Sequence, residues 1–257
     1  MGTHALDLRD WLVVDAERDI QIARKRRLIE EVPEVVVASS NPSSRAAEEE
    51  AHELIVAATG TPADAARQPL VDAALMVQED LVIVDRFADA WTVTAGVVCF
   101  PTHWTIADKV GLPLAAVHDG VAHYDRELRE RVDRFHDRLT PQRPVWRRNW
   151  FVTATDELHL PTLPPGRVLA DVIAPDGSPM WIRSERQTLR RLPRTGAILF
   201  TIRVQLAPLG LLRDRVDLAV RMLAAVQSWD QEKRSYTSTG RVLVALEEWL
   251  VDLTTAA

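Results

Sequence analysis

Two stretches rich in β-branched and aromatic residues are separated by only five residues, and this spacing most constrains the fold. The stretches are LVIVD at 81–85 and WTVTAGVVCF at 91–100, with RFADA between them. Their composition favours strands. Strands joined by so short a connection must be antiparallel, because a parallel pair needs a crossover of a dozen or more residues. The sequence therefore predicts a β-hairpin here.

Further strand-like and helical stretches extend this hairpin into an α+β plan. VWRRNWFVTA at 145–154 and GAILFTIRVQ at 196–205 read as strands. The strands are joined by irregular segments instead of regular helices, which disfavours a doubly wound parallel sheet. Helical patterns flank them, at 7–31, 41–60, 124–139, 208–228 and 240–254.

We predict a single domain built on an antiparallel sheet with flanking N- and C-terminal helices. Its N-terminal helical part covers 1–65, its sheet-containing core 77–206 and its C-terminal helices 207–257. A chain of 257 residues is long enough to bury a substantial core.

Charge and cysteine content narrow the class of protein. The net charge is −6, which argues against non-specific nucleic-acid binding. Cys99 is the only cysteine, so no internal disulfide can form and a reducing, cytoplasmic environment is expected. The sequence shows no secretion signal and no apolar run of the roughly 20 residues that span a membrane. Fingerprints for dinucleotide binding, phosphate loops and zinc hydrolysis are missing as well.

The segment 99–118 is the first candidate site, because it holds Cys99, His103 and His118 in an irregular connection. An imidazole there could bind a metal if its second nitrogen were held by a carboxylate or carbonyl, and Asp119 could orient His118. The alternatives are a buried apolar cysteine and histidines that only form hydrogen bonds within the fold.

Arginines form the second candidate site. The stretch IRSERQTLRRLP at 182–193 holds four of them, and VWRRNW holds the pair Arg147 and Arg148 between two tryptophans. On a helix, Arg183, Arg186 and Arg190 would share a face. On a strand, Arg186 and Arg190 would share one face, and Arg183 and Arg191 the other. Guanidinium groups suit carboxylates and aromatic rings, so a flat apolar ligand with carboxylate arms would fit, as would ion pairs with surface acids.

Several motifs resemble one known family. The stretch RSERQTLRRLPRTGAILFTIR at 183–203 strongly resembles the signature of the haem-dependent oxidative N-demethylases of the α-subunit type. VQEDLVIV, GVVCFPTHWTIADKVGLPLAAVHDGV, RRNW and WLVVDAERDIQIARKRRLI agree in the same order, so the resemblance covers nearly the whole chain.

The resemblance implies a PAS-like fold that binds b-type haem, and oxidative removal of a methyl group from a small amine by a haem-dependent monooxygenase. It further implies O₂, release of formaldehyde, and electrons from external flavin and iron–sulfur partners. Because Cys99 is the only cysteine, the reductase or ferredoxin-type partner must be a separate polypeptide.

The resemblance also assigns residues. His118 matches the family's histidine and is the expected axial ligand, with His103 as second choice. The expected haem or substrate contacts are Arg148, Arg183, Arg186 and Arg190. Independently of the resemblance, an acid such as Glu185 or Asp119 could orient a cationic substrate.

One departure concerns the loop after this histidine, where the family has Pro-Val-Pro and this chain has Gly120-Val121-Ala122. A looser loop could alter ligation or substrate choice. The alternatives are a haem-binding sensor or carrier without turnover, and a haem-free module that grips an acidic partner.

Overall fold

One antiparallel sheet organises the computed structural model, which describes residues 2–255 apart from 41, 88, 118–125, 163–172, 232–233 and 235–239. Its strand order is β1-β5-β6-β7-β3-β4-β2, and each neighbouring pair is antiparallel. The strands are β1 (His4–Ala5), β2 (Val37–Ser39), β3 (Asp80–Phe87), β4 (Ala90–Val97), β5 (Val145–Thr153), β6 (Trp181–Arg191) and β7 (Ile198–Pro208).

Helices precede, interrupt and follow this sheet, so the predicted α+β class is confirmed. The α-helices are α1 (Arg18–Glu31), α2 (Pro33–Val36), α3 (Arg45–Thr59), α4 (Pro69–Met76), α5 (Leu114–Val117), α6 (Arg126–Arg138), α7 (Val216–Gln227) and α8 (Gly240–Thr255). Short 3₁₀ helices cover Leu8–Asp10 and Leu209–Asp214.

The predicted hairpin is β3 and β4, which pair from Leu81 opposite Val97 to Phe87 opposite Ala90. A second hairpin joins β6 and β7, which pair along their whole length. Its turn contains Gly196 at φ +78°, a conformation that glycine adopts without steric cost. The arginine-rich segment is therefore a strand, which decides between the two alternatives left open by its sequence.

The predicted helix at 7–31 is regular only from Arg18 onward. Residues 11–17 are irregular because their polar groups bond to the sheet side: the Val13 amide donates to Glu79 Oε1 at 2.9 Å, and the Asp15 amide to Gln78 Oε1 at 3.2 Å. The Trp11 side chain is buried in the core. Tertiary contacts thus override local helix propensity here.

Two layers cover the two faces of the sheet. We call the side packed against the N-terminal residues and α1–α4 the N-terminal face; its buried core includes Trp11, Ile55 and Leu199. We call the other side the connector face, because described residues of the connection between β4 and β5, such as Ile106, pack on it. Its core includes Leu114, Leu139 and Ile198.

The C-terminal helices form a third core. Leu246, Trp249 and Leu250 of α8 pack with α7 and with Met180 just before β6. The predicted helix at 208–228 begins as the 3₁₀ turn and becomes regular at Val216. Within the described residues, no helix has both the length and the apolar character needed to cross a membrane.

Candidate functional site

The extended conformation of β6 separates the arginines of the signature between the two faces of the sheet. Alternate residues of a strand point to opposite sides. Arg186 and Arg190 therefore lie on the N-terminal face, while Arg183 lies on the connector face. Arg148 pairs with Arg186 in the register of β5 and β6, so it also lies on the N-terminal face. The four predicted haem contacts therefore do not share one surface, since Arg183 lies opposite the other three.

The arginines on the N-terminal face are engaged by this chain's own groups. Arg186 donates to the carbonyl of Trp11 at 3.0 Å and to that of Asp10 at 2.5 Å. The Arg190 guanidinium lies 4.4 Å from the ring centroid of Trp11, which is cation–π distance. Arg148 is exposed and donates to Ser184 Oγ at 2.8 Å. The contacts of Arg186 and Arg190 fasten the N-terminal segment to the sheet, whereas the contact of Arg148 links β5 to β6.

Arg183 is completely buried on the other face. Its guanidinium donates to the carbonyls of Phe100 at 2.7 Å, Leu158 at 3.1 Å, Glu157 at 3.2 Å and Pro101 at 3.4 Å. Its Nε has no hydrogen-bond partner in the described part of the chain. Arg183 therefore binds two loops together and keeps one buried donor unused.

Glu185 lies two residues along the same face and forms a charged cluster with Arg183 and Arg147. Burial raises the pKa of Glu185, and the two guanidinium groups oppose that rise. Gln187 Nε2 donates to Glu185 Oε2 at 3.0 Å, and Gln187 Oε1 accepts from Arg147 Nε at 2.7 Å. The carboxyl group is thus held in a polar chain inside a desolvated environment, which makes its carboxylate form a stronger base.

Arg147 was not among the predicted haem contacts, although its pair partner Arg148 was. Burial lowers the pKa of Arg147, whereas Arg148 is exposed. The two are adjacent on β5 and so point to opposite faces. The alternation of side chains along a strand predicts that Arg147 and Arg148 lie on opposite faces. Only the register of β5 against β6 shows that Arg147 is the one on the same face as Glu185.

Apolar side chains adjoin this charged cluster. Ile202 and Val204 of β7 are buried and pair with Gln187 and Glu185 in the register of β6 and β7, which puts them on the same face. Phe100 is buried as well, and its carbonyl accepts from Arg183. Buried cations with an unused donor, next to apolar walls, suit a flat apolar ligand with anionic arms. The residues present on the connector face therefore fit haem.

His103 lies on the loop that follows β4 and has a backbone φ of +59°, which is uncommon outside glycine. Its amide donates to the carbonyl of Leu160 at 2.6 Å. Partial burial and the positive charge of Arg183 lower the pKa of His103, so the neutral imidazole is favoured. His118 and Asp119, the other predicted site residues of this segment, lie outside the described residues.

Cys99 is fully buried, and burial raises the pKa of its thiol to about 12. The negative charge of Asp80 adds to that rise. Because the thiolate is the metal-binding form, the environment favours the interpretation of Cys99 as a buried apolar residue.

His159 is a site residue that the sequence reasoning did not select. Its Nδ1 lies 2.7 Å from the carbonyl oxygen of Cys99. A carbonyl only accepts, so Nδ1 carries the proton and Nε2 carries the lone pair in the neutral ring. Because His159 comes sixty residues after Cys99 in the sequence, no local pattern revealed this contact.

The chain matches the model of a known protein family. A family model described as haem-dependent oxidative N-demethylase, alpha subunit-like, matches residues 56–246, more than half of the chain. The matched range contains the charged cluster, His103, His118 and the signature of β6.

Proposed function

The chain belongs to the family of haem-dependent oxidative N-demethylase, alpha subunit-like proteins, and we propose that it is a haem-binding monooxygenase that demethylates a small amine. Demethylation at one N-methyl carbon consumes O₂, two electrons and two protons. It releases the shortened amine, formaldehyde and water. Haem b would be the cofactor, bound by the whole chain as one PAS-like domain in the cytoplasm.

The observation that carries this proposal is the buried carboxyl group of Glu185 on the connector face. It shares that face with Arg183 of β6, with Arg147 of β5 and with the apolar side chain of Val204, its partner on β7. Perturbed acids in partly apolar surroundings are typical of functional sites. An amine oxidase needs both features, because the substrate is a cation in water and must be neutral to be oxidised.

We assign the following roles to the chain's own residues. His118 would be the axial ligand, with His103 as second choice. Of the four predicted arginine contacts, Arg183 shares the face of Glu185, and Arg147 joins it there; both would attract carboxylate arms. Arg186 and Arg190 would act indirectly, by fixing the N-terminal segment, and Arg148 by linking β5 to β6 and β7.

Glu185 would pair with the alkylammonium group of the substrate and then accept its proton. Oε2 is held by Gln187, and Oε1 makes no hydrogen bond among the described residues. A raised pKa makes the carboxylate a stronger base, which suits proton transfer from a bound ammonium. Asp119 remains a second candidate for this role.

When bound, haem supplies the one-electron and O₂ chemistry, which amino-acid side chains lack. The electrons would come from a separate flavin- or iron–sulfur-containing partner, because a single cysteine cannot hold a cluster.

The test is haem reconstitution followed by an activity assay. The purified chain is titrated with haemin, and absorption spectra are recorded in the oxidised, reduced and CO-bound forms. We expect a saturable Soret band that is altered in His118→Ala. With a chemical reductant, O₂ and dimethylated or monomethylated amines, we expect formaldehyde, and a large loss of it in Glu185→Gln with haem binding retained.

Other outcomes separate the alternatives. Haem binding without formaldehyde from any methylated amine would favour a sensor or carrier. A chain that stays colourless after haemin addition would overturn the proposal and favour a haem-free interaction module.

A further inference from the structure

The loop that leaves β4, residues 99–103, is held by side chains from distant parts of the chain, and we call it the clamped loop. The buried carboxylate of Asp80 accepts the amide protons of Cys99 at 2.9 Å and Phe100 at 2.8 Å. Asp80 is the first residue of β3. Both amides at the start of the loop are thus fixed to the neighbouring strand.

The carbonyls of the same loop are fixed from the opposite side. Arg183 donates to Phe100 and Pro101, and His159 Nδ1 donates to Cys99. The backbone amide of Leu160 also donates a hydrogen bond to the carbonyl of Pro101 at 3.2 Å. Three side chains and one neighbouring segment therefore determine the course of the clamped loop.

His103 ends this loop in the left-handed region of backbone space. A side chain in that region is strained and persists only where its surroundings over-determine it. The bonds around Asp80 and Arg183 supply that constraint. Arg183 donates to the carbonyl of Pro101 at 3.4 Å, only two residues before His103, so this end of the clamped loop adjoins the charged cluster.

Asp80 is itself anchored from the N-terminal face. The fully buried Lys25 has its ammonium 3.8 Å from Asp80 Oδ1 and donates to the carbonyls of Val77 at 3.1 Å and Glu79 at 2.5 Å. Removing the charge of Asp80 would leave two amides and one ammonium poorly compensated. Such an arrangement is rigid, which suits a residue that sets the position of another.

We propose that Asp80 is a positioning residue, which holds the clamped loop so that the imidazole of His103 contacts the haem or the ligand bound to its iron. This inference rests on the proposed function, since it assigns the contact to haem. It gives His103 a defined place and makes Asp80, which no motif singled out, part of the site.

The test is a double-mutant cycle with Asp80→Asn and His103→Gln, measured as haem affinity and as the rate of CO dissociation from the reduced protein. Residues that orient metal-site groups typically change affinity by roughly 10–100-fold. We expect a change on the order of tenfold for each single variant, and no further change in the double variant, because Asp80 acts through His103.

Asp72→Asn is the matched control. Asp72 is also buried and accepts two hydrogen bonds, from His52 and from the amide of Asp64, but it belongs to the α3–α4 pair. It should lower stability without altering the CO dissociation rate. Independent, multiplicative effects of Asp80→Asn and His103→Gln, or an equal effect of Asp72→Asn, would overturn the positioning role.

A second variant covers the case in which Asp80→Asn does not fold. His159→Phe keeps the ring and removes the bond to Cys99, so it should loosen the same loop. Its effect on CO dissociation should also vanish in the His103→Gln background, and persistence there would contradict the proposal.

A haem-free measurement separates failure of this inference from failure of the proposed function. The NMR resonance of the His103 ring should shift in Asp80→Asn and stay unchanged in Asp72→Asn, even if the chain binds no haem. A resonance unchanged in both variants would refute the positioning of His103, whatever the cofactor proves to be.

Discussion

At the scale of single residues, two opposing effects act on the charged groups of the connector face: burial disfavours their charged forms, and attraction between opposite charges favours them. Desolvation raises the pKa of Glu185 and lowers the pKa values of Arg147 and Arg183, so each group resists its charged form. Their mutual attraction offsets part of that cost. The site is therefore sensitive to any change that removes one charge.

Glu185→Gln should make the protein more stable at neutral and alkaline pH. A carboxyl group whose pKa is raised on folding loses stability as pH rises from about 4.3, the usual glutamate value, through its folded pKa. Below that window both forms are neutral, and the variant should match the natural protein. Urea unfolding between pH 4 and pH 8 checks this; a stability difference that grows toward acid pH would contradict it.

Arg183→Met should cost about 3 kcal/mol of unfolding free energy, because it leaves several buried carbonyls without a donor. Arg148→Met is the control. It removes the same charge from an exposed position and should change stability by less than about 0.5 kcal/mol. Similar losses in both would show that net charge, and not the buried bonds, is responsible.

His103→Gly should stabilise the fold by up to about 1 kcal/mol while weakening haem binding, because glycine relieves the positive φ but removes the imidazole. Asp89→Gly offers a comparison. Asp89 has φ +65° in the exposed β3–β4 turn, so it should stabilise without affecting haem. Thermal unfolding and haem titration measure the two effects, and a destabilised His103→Gly would argue against stored strain.

At the scale of elements, the N-terminal segment is held on the sheet by aromatic and cationic contacts. Trp11 is buried under the Arg190 guanidinium, and its carbonyl accepts from Arg186. Arg203, also buried, reaches Asp15 Oδ2 at 2.6 Å and Gln21 Oε1 at 2.7 Å. The guanidinium groups on this face thus hold the N-terminal segment and the start of α1 against the sheet.

Trp11→Ala should cost about 3–5 kcal/mol through the cavity it leaves. Trp11→Phe should cost clearly less, because a ring remains beneath Arg190. Neither change should alter the haem spectrum once the folded fraction is accounted for, because Trp11 lies on the face opposite Glu185. A changed spectrum in folded Trp11→Phe would place the cofactor on the N-terminal face instead.

At the scale of the whole molecule, the described residues form three hydrophobic clusters that stabilise different parts of the fold. Two lie on the two faces of the sheet, and the third joins α7 and α8 to the start of β6. The charged cluster lies between the sheet and the loops of the connector face. Its environment therefore depends on the first two clusters far more than on the third.

Trp249→Ala tests this division. Trp249 is buried in the third cluster, so its loss should cost at least about 3 kcal/mol. Haem affinity of the remaining folded protein should stay unchanged. Urea unfolding of the variant, followed by haem absorption and by circular dichroism, measures both effects. A loss of haem affinity in the folded variant would show that the third cluster also supports the haem site.

The sequence by itself determined the α+β class, the β3–β4 hairpin and the family. These follow from local signals: β-branched runs with a short connection, and an ordered set of motifs that cover most of the chain. Helix α8 was also predicted almost to its ends, because its apolar spacing is regular. Helix α4 and the short edge strands β1 and β2 were not assigned, since they are too brief for periodicity to show.

Only the tertiary structure decided which residues form the site. Whether Arg183 faces Glu185 or Arg186 depends on whether the segment is a strand or a helix, and on its register against β5 and β7. The link from Asp80 to Cys99 and His159 joins residues far apart in the chain. Such contacts arise because most buried polar groups require a hydrogen-bond partner, and distant segments supply it. A linear pattern records the residue types but not these partners.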